Sequence, residues 1–476
     1  MKKKLLIALI LLPMLASAQE PVEVNGLNYL LNEEEKTATV TSSKFEGILV
    51  IPESIHVGDD DYTVTAIEGN ALQYNSSLIS VTIPNSIKSI GNYAFYWCSN
   101  LASVKIGDGV ETIGEYAFCS CSLVSVAIGN KVNTIGSYAF AGPNPLTQVY
   151  ISDLAAWCRI DFSDAASNPL TYAHHLYLDK KEVKDLVIPE GIEEIKNFAF
   201  YGGANIRSLV VGNGVSKINN SAFCGCSALA SVTFPESLTS IWKSAFEGCD
   251  NIEEIELPDM MTTIGEGAFK NCSKLEKLKL PTNLQIIHYE AFRGCPLLNS
   301  IIIPASVEFI YNYAFYSEAT ESMDVFVNPE YPPMAYSQSF RSGTKIYVPE
   351  SSIEPYQNVS PWSNMTIATY SASGPEKCAT PTVSYKNGIL SFASDTPDVV
   401  FHYTITSVDS QKKVGNDIDI SGNCKVTIYA SKKGYEDSDT VETVVNIIGK
   451  QGDVNRDGDV NVADHVKLSD IIMNNE

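Results

Sequence analysis

The chain has 476 residues, is 45% hydrophobic and carries a formal charge of −23. That length exceeds one compact core and suits several domains or a repeat array with appendages. So acidic a chain argues against binding nucleic acid or anionic membrane through its net field, and its apolar share excludes wholesale disorder.

At the start, Lys2, Lys3 and Lys4 precede an apolar run from Leu5 to Leu15, and Ala16-Ser17-Ala18 is a small-residue cleavage site. Residues 1–18 therefore read as a secretory signal whose apolar run is too short to span a bilayer. Its removal takes the charge to −26. No later segment reaches membrane-spanning length, so an exported, soluble chain with no membrane span is expected, acting at the cell surface or beyond it, with the periplasm also open.

Residues 19–65 are expected to form an N-terminal cap, with a meander over Asn25 to Thr41. From there a small-residue–aromatic pair recurs. Its second member falls at Leu72, Phe95, Phe118, Phe140, Phe200, Phe223, Phe246, Phe269, Phe292, Phe315 and Phe340, at strides of 23, 23, 22, 60, 23, 23, 23, 23, 23 and 25. A unit so short cannot bury its own apolar face, so similar units must stack. One copy shows the logic. Leu101, Val104 and Ile106 follow the spacing of a leucine-rich repeat, and Val104 and Ile106 alternate with Lys105 as a short half-buried strand does. Gly107 ends that strand, Val110 and Ile113 supply a second inward pair, and Gly114 is expected to permit a turn. Ala117 lets the backbone pass close, while Phe118 fills the space between rungs.

These residues resemble the BspA-like leucine-rich repeat family of bacterial surface proteins. The recurring pattern I-G-x-x-A-F-x-x-C-x-x-L-x-x-V-x-I-P, as from Ile264 to Leu280, carries the resemblance over about Val22 to Tyr370. What it implies is a mainly β solenoid, here residues 66–370, used for adhesion or protein recognition and not for catalysis. The long stride over 141–185 reads as a modified rung with a bulge or short helix, restarting at Leu186, and 345–370 as a closing cap.

Cys98, Cys121, Cys226, Cys249, Cys272 and Cys295 each stand three residues after the repeat aromatic. Locked to the repeat, they read as a column of buried thiols; disulfides and metal ligation are the alternatives. The outward strand positions form two ladders with rungs about 4.8 Å apart. One runs through Thr82, Lys105, Ala127 and Tyr150, and Glu254 and Glu256 are expected beside Lys277 and Lys279. Ile302, Phe326 and Tyr347 stand on successive rungs of the same ladder. They are either a partner-binding patch, with Tyr150 a further candidate, or a surface that the following domain covers.

After a linker at 371–376, short alternating strands over 377–448 suggest a β-sandwich that resembles Ig-like or fibronectin-like spacers, with Cys378 and Cys424 as candidates for pairing. Residues 451–476 hold a calcium-loop pattern. Asp453, Asn455, Asp457, Asn461 and Asp464 occupy positions one, three, five, nine and twelve, Gly458 makes the sharp turn, and Asp459 offers its carbonyl. The ending resembles a dockerin, an EF-hand-type calcium module. That implies a Ca²⁺ cofactor and a cohesin-like receptor, although a dockerin normally has two such repeats and one is present here.

Three functions follow. The first is a non-enzymatic surface recognition protein that presents its solenoid face to a host or bacterial protein. The second is a non-catalytic or carbohydrate-active component of a dockerin–cohesin polysaccharide-degrading complex. The third is a scaffold whose sole ligand is its assembly partner. Glycosidases need two carboxylates across a cleft, and no pair stands out. Cys158 with His174 or His175 is the one nucleophile–base combination to weigh.

Overall fold

The computed structural model describes residues 20–142, 145–319, 322–370, 378–386, 389–397, 399–407, 424–431 and 438–445. The secretory leader, the 371–376 linker and the 451–476 calcium loop lie outside the described residues. The described chain falls into two compact units. One lies within Met1–Leu298, Ser306–Thr320 and Pro333–Arg341, the other within Asn299–Ala305, Glu321–Pro332 and Ser342–Glu476.

In the first unit each rung adds one short strand to each of two parallel sheets. One sheet runs Gly47–Val50, Leu78–Thr82, Ser103–Lys105, Ser125–Ala127, Gln148–Ile151 and Leu176–Leu178. The other passes through Asp60–Ile67, Ser89–Ile90, Thr112–Ile113, Thr134–Ile135 and Asp161–Phe162. It opens on an antiparallel meander of Val22–Val24, Leu27–Asn32 and Thr37–Val40, with Asn25 and Gly26 at positive φ in the first turn. Past residue 185 seven two-residue strands from Glu194–Ile195 to Met334–Ala335 again make one sheet, while the other side divides into a sheet of Asp185–Val187, Ser208–Val210 and Ser231–Thr233 and a pair of Glu254–Glu256 with Lys277–Lys279. Apart from a register shift after Gly47 and another after Ala38, the parallel pairing is in register: Ser103 pairs with Ser125 and Lys105 with Ala127, and likewise Glu254 with Lys277 and Glu256 with Lys279.

A third side of each rung is turn rather than strand, yet it too is bonded from rung to rung. Phe95 N–H donates to Ala117 O at 2.7 Å, Phe118 to Ala139 at 2.8 Å, and Phe246 to Ala268 at 2.8 Å. The Ala-Phe pair is what permits this. Ala94, Ala117, Ala245 and Ala268 are fully buried where a larger side chain has no room, and the following rings stack in the core. Centroids are 5.0–5.5 Å apart along Phe95–Phe118–Phe140 and again from Phe200 through Phe340, with planes within 13° of parallel. Such offset stacks add attraction beyond the area buried.

The cysteine column is buried, and its thiols also donate hydrogen bonds. Cys98, Cys121, Cys226, Cys249, Cys272 and Cys295 lie 3.1–3.4 Å, through Sγ, from the carbonyl of the preceding rung's aromatic or Leu72. The phenylalanine carbonyls already accept the N–H of their own turn, so the thiol takes a second lone pair, as where Phe95 O meets both Cys98 N and Cys121 Sγ. Among the described residues no group of His, Cys, Asp and Glu side chains gathers as a metal site.

The turn expected at Gly114 begins there, with Ala117 N–H donating to Gly114 O at 3.4 Å, but the reason for glycine is different. Its φ is not in the left-handed region; a Cβ there would meet Asn92 N at 2.5 Å and the Gly91 carbonyl carbon at 2.6 Å. Close rung-to-rung approach, and not backbone freedom, requires glycine.

The second unit contains the parallel strands Ser300–Ile303, Asp324–Val327, Lys345–Pro349 and Thr366–Tyr370. The helix Ile353–Asn358 and the turn Trp362–Asn364 fold over them, burying Tyr356 and Trp362, and the Tyr356 hydroxyl donates to Pro329 O at 3.0 Å. Beyond lie two small antiparallel sheets. Thr382–Lys386 pairs with Ile389–Ala393, and Cys424–Ser431 pairs with both Val400–Ser407 and Val441–Val445. Phe392 joins the two, 5.0 Å from Tyr403 and 5.9 Å from Phe401. The Cys424 side chain lies outside the described residues.

Phe246 sits between Phe223 and Phe269 in the longer stack. Phe246→Ala should therefore lower unfolding free energy by about 3–5 kcal/mol, read by denaturant titration of the full chain.

Candidate partner-binding surfaces

The outward ladder of the first sheet runs in register through Val50, Thr82, Lys105, Ala127, Tyr150 and Tyr177. Its start is apolar: Ile48 is 70% exposed, Val50 65% and Ile79 52%. Tyr150 is half-buried with its ring 5.1 Å from that of Tyr177. Further on, Glu256 and Lys279 form a surface ion pair at 2.5 Å, both side chains about 70% exposed, a contact of little energetic weight.

Of the two readings of Ile302, Phe326 and Tyr347, a partner-binding patch or a covered surface, the burial of Phe326 favours the covered one. All four residues of Asp324–Val327 are buried, and Phe326 is only 8% exposed. Its ring stacks 4.7 Å from Tyr347 at 14° and lies 6.1 Å from Tyr370 on the last strand, so neighbouring rungs of its own unit cover it. Ile302 and Tyr347 are half-buried.

The modified rung is built from the helix Leu154–Cys158, the 3-10 turn Ala165–Ser167 and the helix Leu170–Ala173. Asp153 caps the first by accepting from Ala156 N, and Asp164 caps the turn by accepting from Ser167 N at 2.7 Å. In a regular rung the alanine carbonyl receives a backbone N–H from the rung before. Here side chains do that work. Ala199 O accepts from Trp157 Nε1 at 2.9 Å and from Asn168 Nδ2 at 3.2 Å, and Phe198 O accepts from Asn168 Nδ2 at 2.7 Å.

That role also separates the Cys–His combination. Cys158 is fully buried and desolvation pushes its thiol up to about 12, the opposite of an activated nucleophile. His174 Nδ1 is 2.7 Å from Gly202 O, and His175 Nδ1 is 2.6 Å from Glu182 Oε1. Asn205 Nδ2 donates to the same carboxylate at 2.7 Å, and Lys184 lies 3.1 Å from its other oxygen. His175 first, then Asn205, hold the Glu182 carboxyl down to about 2.

One surface was not legible as a site in the sequence. Two positions of each turn from Leu72 to Phe292 adopt left-handed φ, two residues before the repeat position and two after it, and the Phe315 turn keeps the first alone. The first holds Asn70, Tyr93, Tyr116, Tyr138, Phe198, Ser221, Ser244, Gly267, Glu290 and Tyr313. The second holds Tyr74, Trp97, Ser120, then Gly142, Gly202, Gly225, Gly248, Asn271 and Gly294. A bulky residue in that region costs of order 1–3 kcal/mol; the later rungs avoid it with glycine or asparagine at the second position, and three of six avoid it with serine or glycine at the first. The N-terminal rungs do not. Tyr93 stacks on Tyr116 at 5.0 Å and 3°, and Tyr116 on Tyr138 at 5.1 Å and 11°. Tyr96 stands edge-on to Tyr74, Tyr93 and Tyr116, with Trp97 beside it. Tyr74 is 62% exposed, Trp97 52% and Tyr138 47%. The tyrosine recurring two residues before the phenylalanine was the signal in the sequence.

Compared with known proteins, the chain matches the BspA type leucine rich repeat region in six copies, over 65–157 and 177–321, together half of its length. The chain belongs to this family of BspA-type leucine-rich repeat proteins. No curated protein matches it significantly. Among solved structures it is similar to a leucine-rich cell surface protein from Faecalibacterium prausnitzii, at 21% identity over 73% of this chain and 94% of that one, with a TM-score of 0.41. It is likewise similar to the pneumococcal vaccine antigen PcpA, at 18% identity over 74% and 99% with a TM-score of 0.41. A leucine-rich repeat protein from Bacteroides capillosus is 27% identical over 28% of this chain and 99% of that one, with a TM-score of 0.26. The BspA-type repeats thus account for the parallel sheets and the aromatic stack, while the tyrosines at left-handed positions vary from rung to rung within them.

The Glu182 carboxyl gives a pH prediction for the modified rung. A depressed folded value contributes stability above the ordinary carboxylate range of about 4.3, and that contribution is lost as pH falls toward 2. Glu182→Gln should therefore be less stable than wild type by roughly 1 kcal/mol at neutral pH, and the gap should close under acid. Thermal melts of both proteins across that range measure it.

Proposed function

We propose that this BspA-type chain is a secreted or surface-displayed, non-enzymatic recognition protein whose solenoid binds a protein partner and whose C-terminal tail is a calcium-dependent docking module. The observation that carries the recognition role is the in-register parallel sheet from Gly47–Val50 to Leu176–Leu178. Its buried side chains are set by the repeat and its outward ones are free to vary. At one end it leaves Ile48, Val50 and Ile79 more than half exposed, an apolar patch of the kind that marks protein interaction sites. Export is supported by the leader pattern of residues 1–18, and no described helix is long and apolar enough to cross a membrane.

A photo-cross-linker placed at Ile48 or Val50 in the producing cells should capture one discrete protein adduct, and the same group at the exposed Glu190 should capture none. Equal capture at both places, or none at either, would remove the sheet face from consideration.

The tail reading rests on sequence. Asp453, Asn455, Asp457, Asn461 and Asp464, with the Asp459 carbonyl, supply the oxygen donors that Ca²⁺ prefers. A cohesin-like receptor is its proposed partner, and an Ig-like spacer is the proposed identity of the small sheets before it. Calorimetric titration of the full chain should show one Ca²⁺ bound tightly, with binding lost in Asp453→Ala/Asp457→Ala. Unchanged heats in that variant would place calcium elsewhere.

A further inference from the structure

The tyrosine-rich turns of the first rungs are not needed by the repeat, because other rungs fold with serine or glycine at the same left-handed positions. The molecule itself shows what such a ring attracts. Tyr313 occupies the same rung position as Tyr93, Tyr116 and Tyr138, and the Arg293 guanidinium stands 5.5 Å from its centroid, paired with Glu290. Lys36 lies 5.1 Å over Tyr62 in the same manner. Arg293 directly follows its repeat phenylalanine. In the N-terminal rungs that place is taken by Tyr96, Cys119 and Ala141, which bring no charge.

Cations are in fact missing from these turns altogether. Residues 69–83, 91–104, 114–130 and 136–151 contain no lysine or arginine, whereas the later turns carry Lys196, Lys243, Lys270 and Arg293. The charges beside the N-terminal rings are acidic. Glu115 precedes Tyr116 and is exposed, and the Asp164 carboxylate accepts from Tyr138 N at 3.3 Å. Five tyrosines and a tryptophan thus form an aromatic platform edged by carboxylates on a chain of net charge −23, and the turn segments that carry them hold no lysine or arginine.

We infer that the turn face formed by Tyr74, Tyr93, Tyr96, Trp97, Tyr116 and Tyr138 docks an extended, arginine- or lysine-rich segment of a protein partner. Its cations stack on the exposed rings of Tyr74, Trp97 and Tyr138, which the inner Tyr93 and Tyr116 support, and pair with Glu115 and Asp164. Ring faces attract cations through their quadrupole, and more strongly when both are partly desolvated. Tyrosine supplies a large, rigid contact that loses little entropy on binding. An anionic ligand is disfavoured by the same carboxylates. The inference rests on the protein-recognition reading above but uses a different surface from the parallel sheet, so the cross-linking test at Ile48 and Val50 passes or fails independently of it.

The test is fluorescence anisotropy with the full chain and a labelled peptide of alternating arginine and glycine, beside a control with citrulline in place of arginine. The triple variant Tyr93→Ser/Tyr116→Ser/Tyr138→Ser should keep its fold, because Ser221 and Ser244 hold the same position at the same φ. It should bind the arginine peptide about tenfold or more weakly, and the citrulline peptide should bind neither protein. Trp97→Gly, which matches Gly202 and Gly225, should also weaken binding without lowering thermal stability. Equal affinity of wild type and triple variant would reduce the effect to diffuse acidic attraction and overturn the proposal. So would a wild-type platform that ignores the arginine peptide and binds a neutral cello-oligosaccharide, which would make it a carbohydrate surface.

Discussion

Everything in the repeat region depends on how closely one rung can lie on the next. Phenylalanine rings stacked at 5.0–5.5 Å set that distance on the turn side, and backbone bonds such as Phe246 N to Ala268 O hold it. The spacing is that of paired strands, so one stride serves two sheets and a turn column together. Fully buried alanines and the close-approach Gly114 are the consequence on the main chain; offset ring stacking is the consequence in the core. With the interior so constrained, the variation lies in the outward side chains.

How much of this was readable follows the same division. The stride of the Ala-Phe pairs located the rungs, and the alternation around Val104 and Ile106 put Lys105 outward and fixed its register with Ala127. The thiol column was readable because it is locked to the repeat. Its hydrogen bonds were not, since a carbonyl's spare lone pair leaves no trace in sequence. Whether Phe326 is bare or covered was not readable, because strand alternation tells only which face it lies on, and Tyr347 and Tyr370 from neighbouring strands close over it. The tyrosine platform was hidden for another reason. Tyr93, Tyr116 and Tyr138 look like ordinary pattern-filling residues until their φ values show that an L side chain is disfavoured there.

The modified rung shows what happens where the stride fails. Its short helices turn their backbone bonding inward, so they offer no regular ladder to the rung that follows. Trp157 and Asn168 close that seam with side-chain donors, and the Glu182, His175 and Asn205 cluster ties Lys181–Glu182, which pairs antiparallel with Leu176–Leu178, to residue 205. Burial of Cys158 belongs to the same job: its sulfur packs a junction.

The thiol-to-carbonyl bonds give the array a direction. Each cysteine reaches back to the unit before it, and each unit offers its own carbonyl to the next. A gene duplication that adds one whole unit therefore adds one donor and one acceptor together and strands neither. A fractional insertion does strand them, and needs dedicated sutures such as Trp157. Growth and shrinkage by complete units is thus the path of least energetic resistance for such a protein, and the number of rungs can drift over evolution while each rung's interior stays fixed.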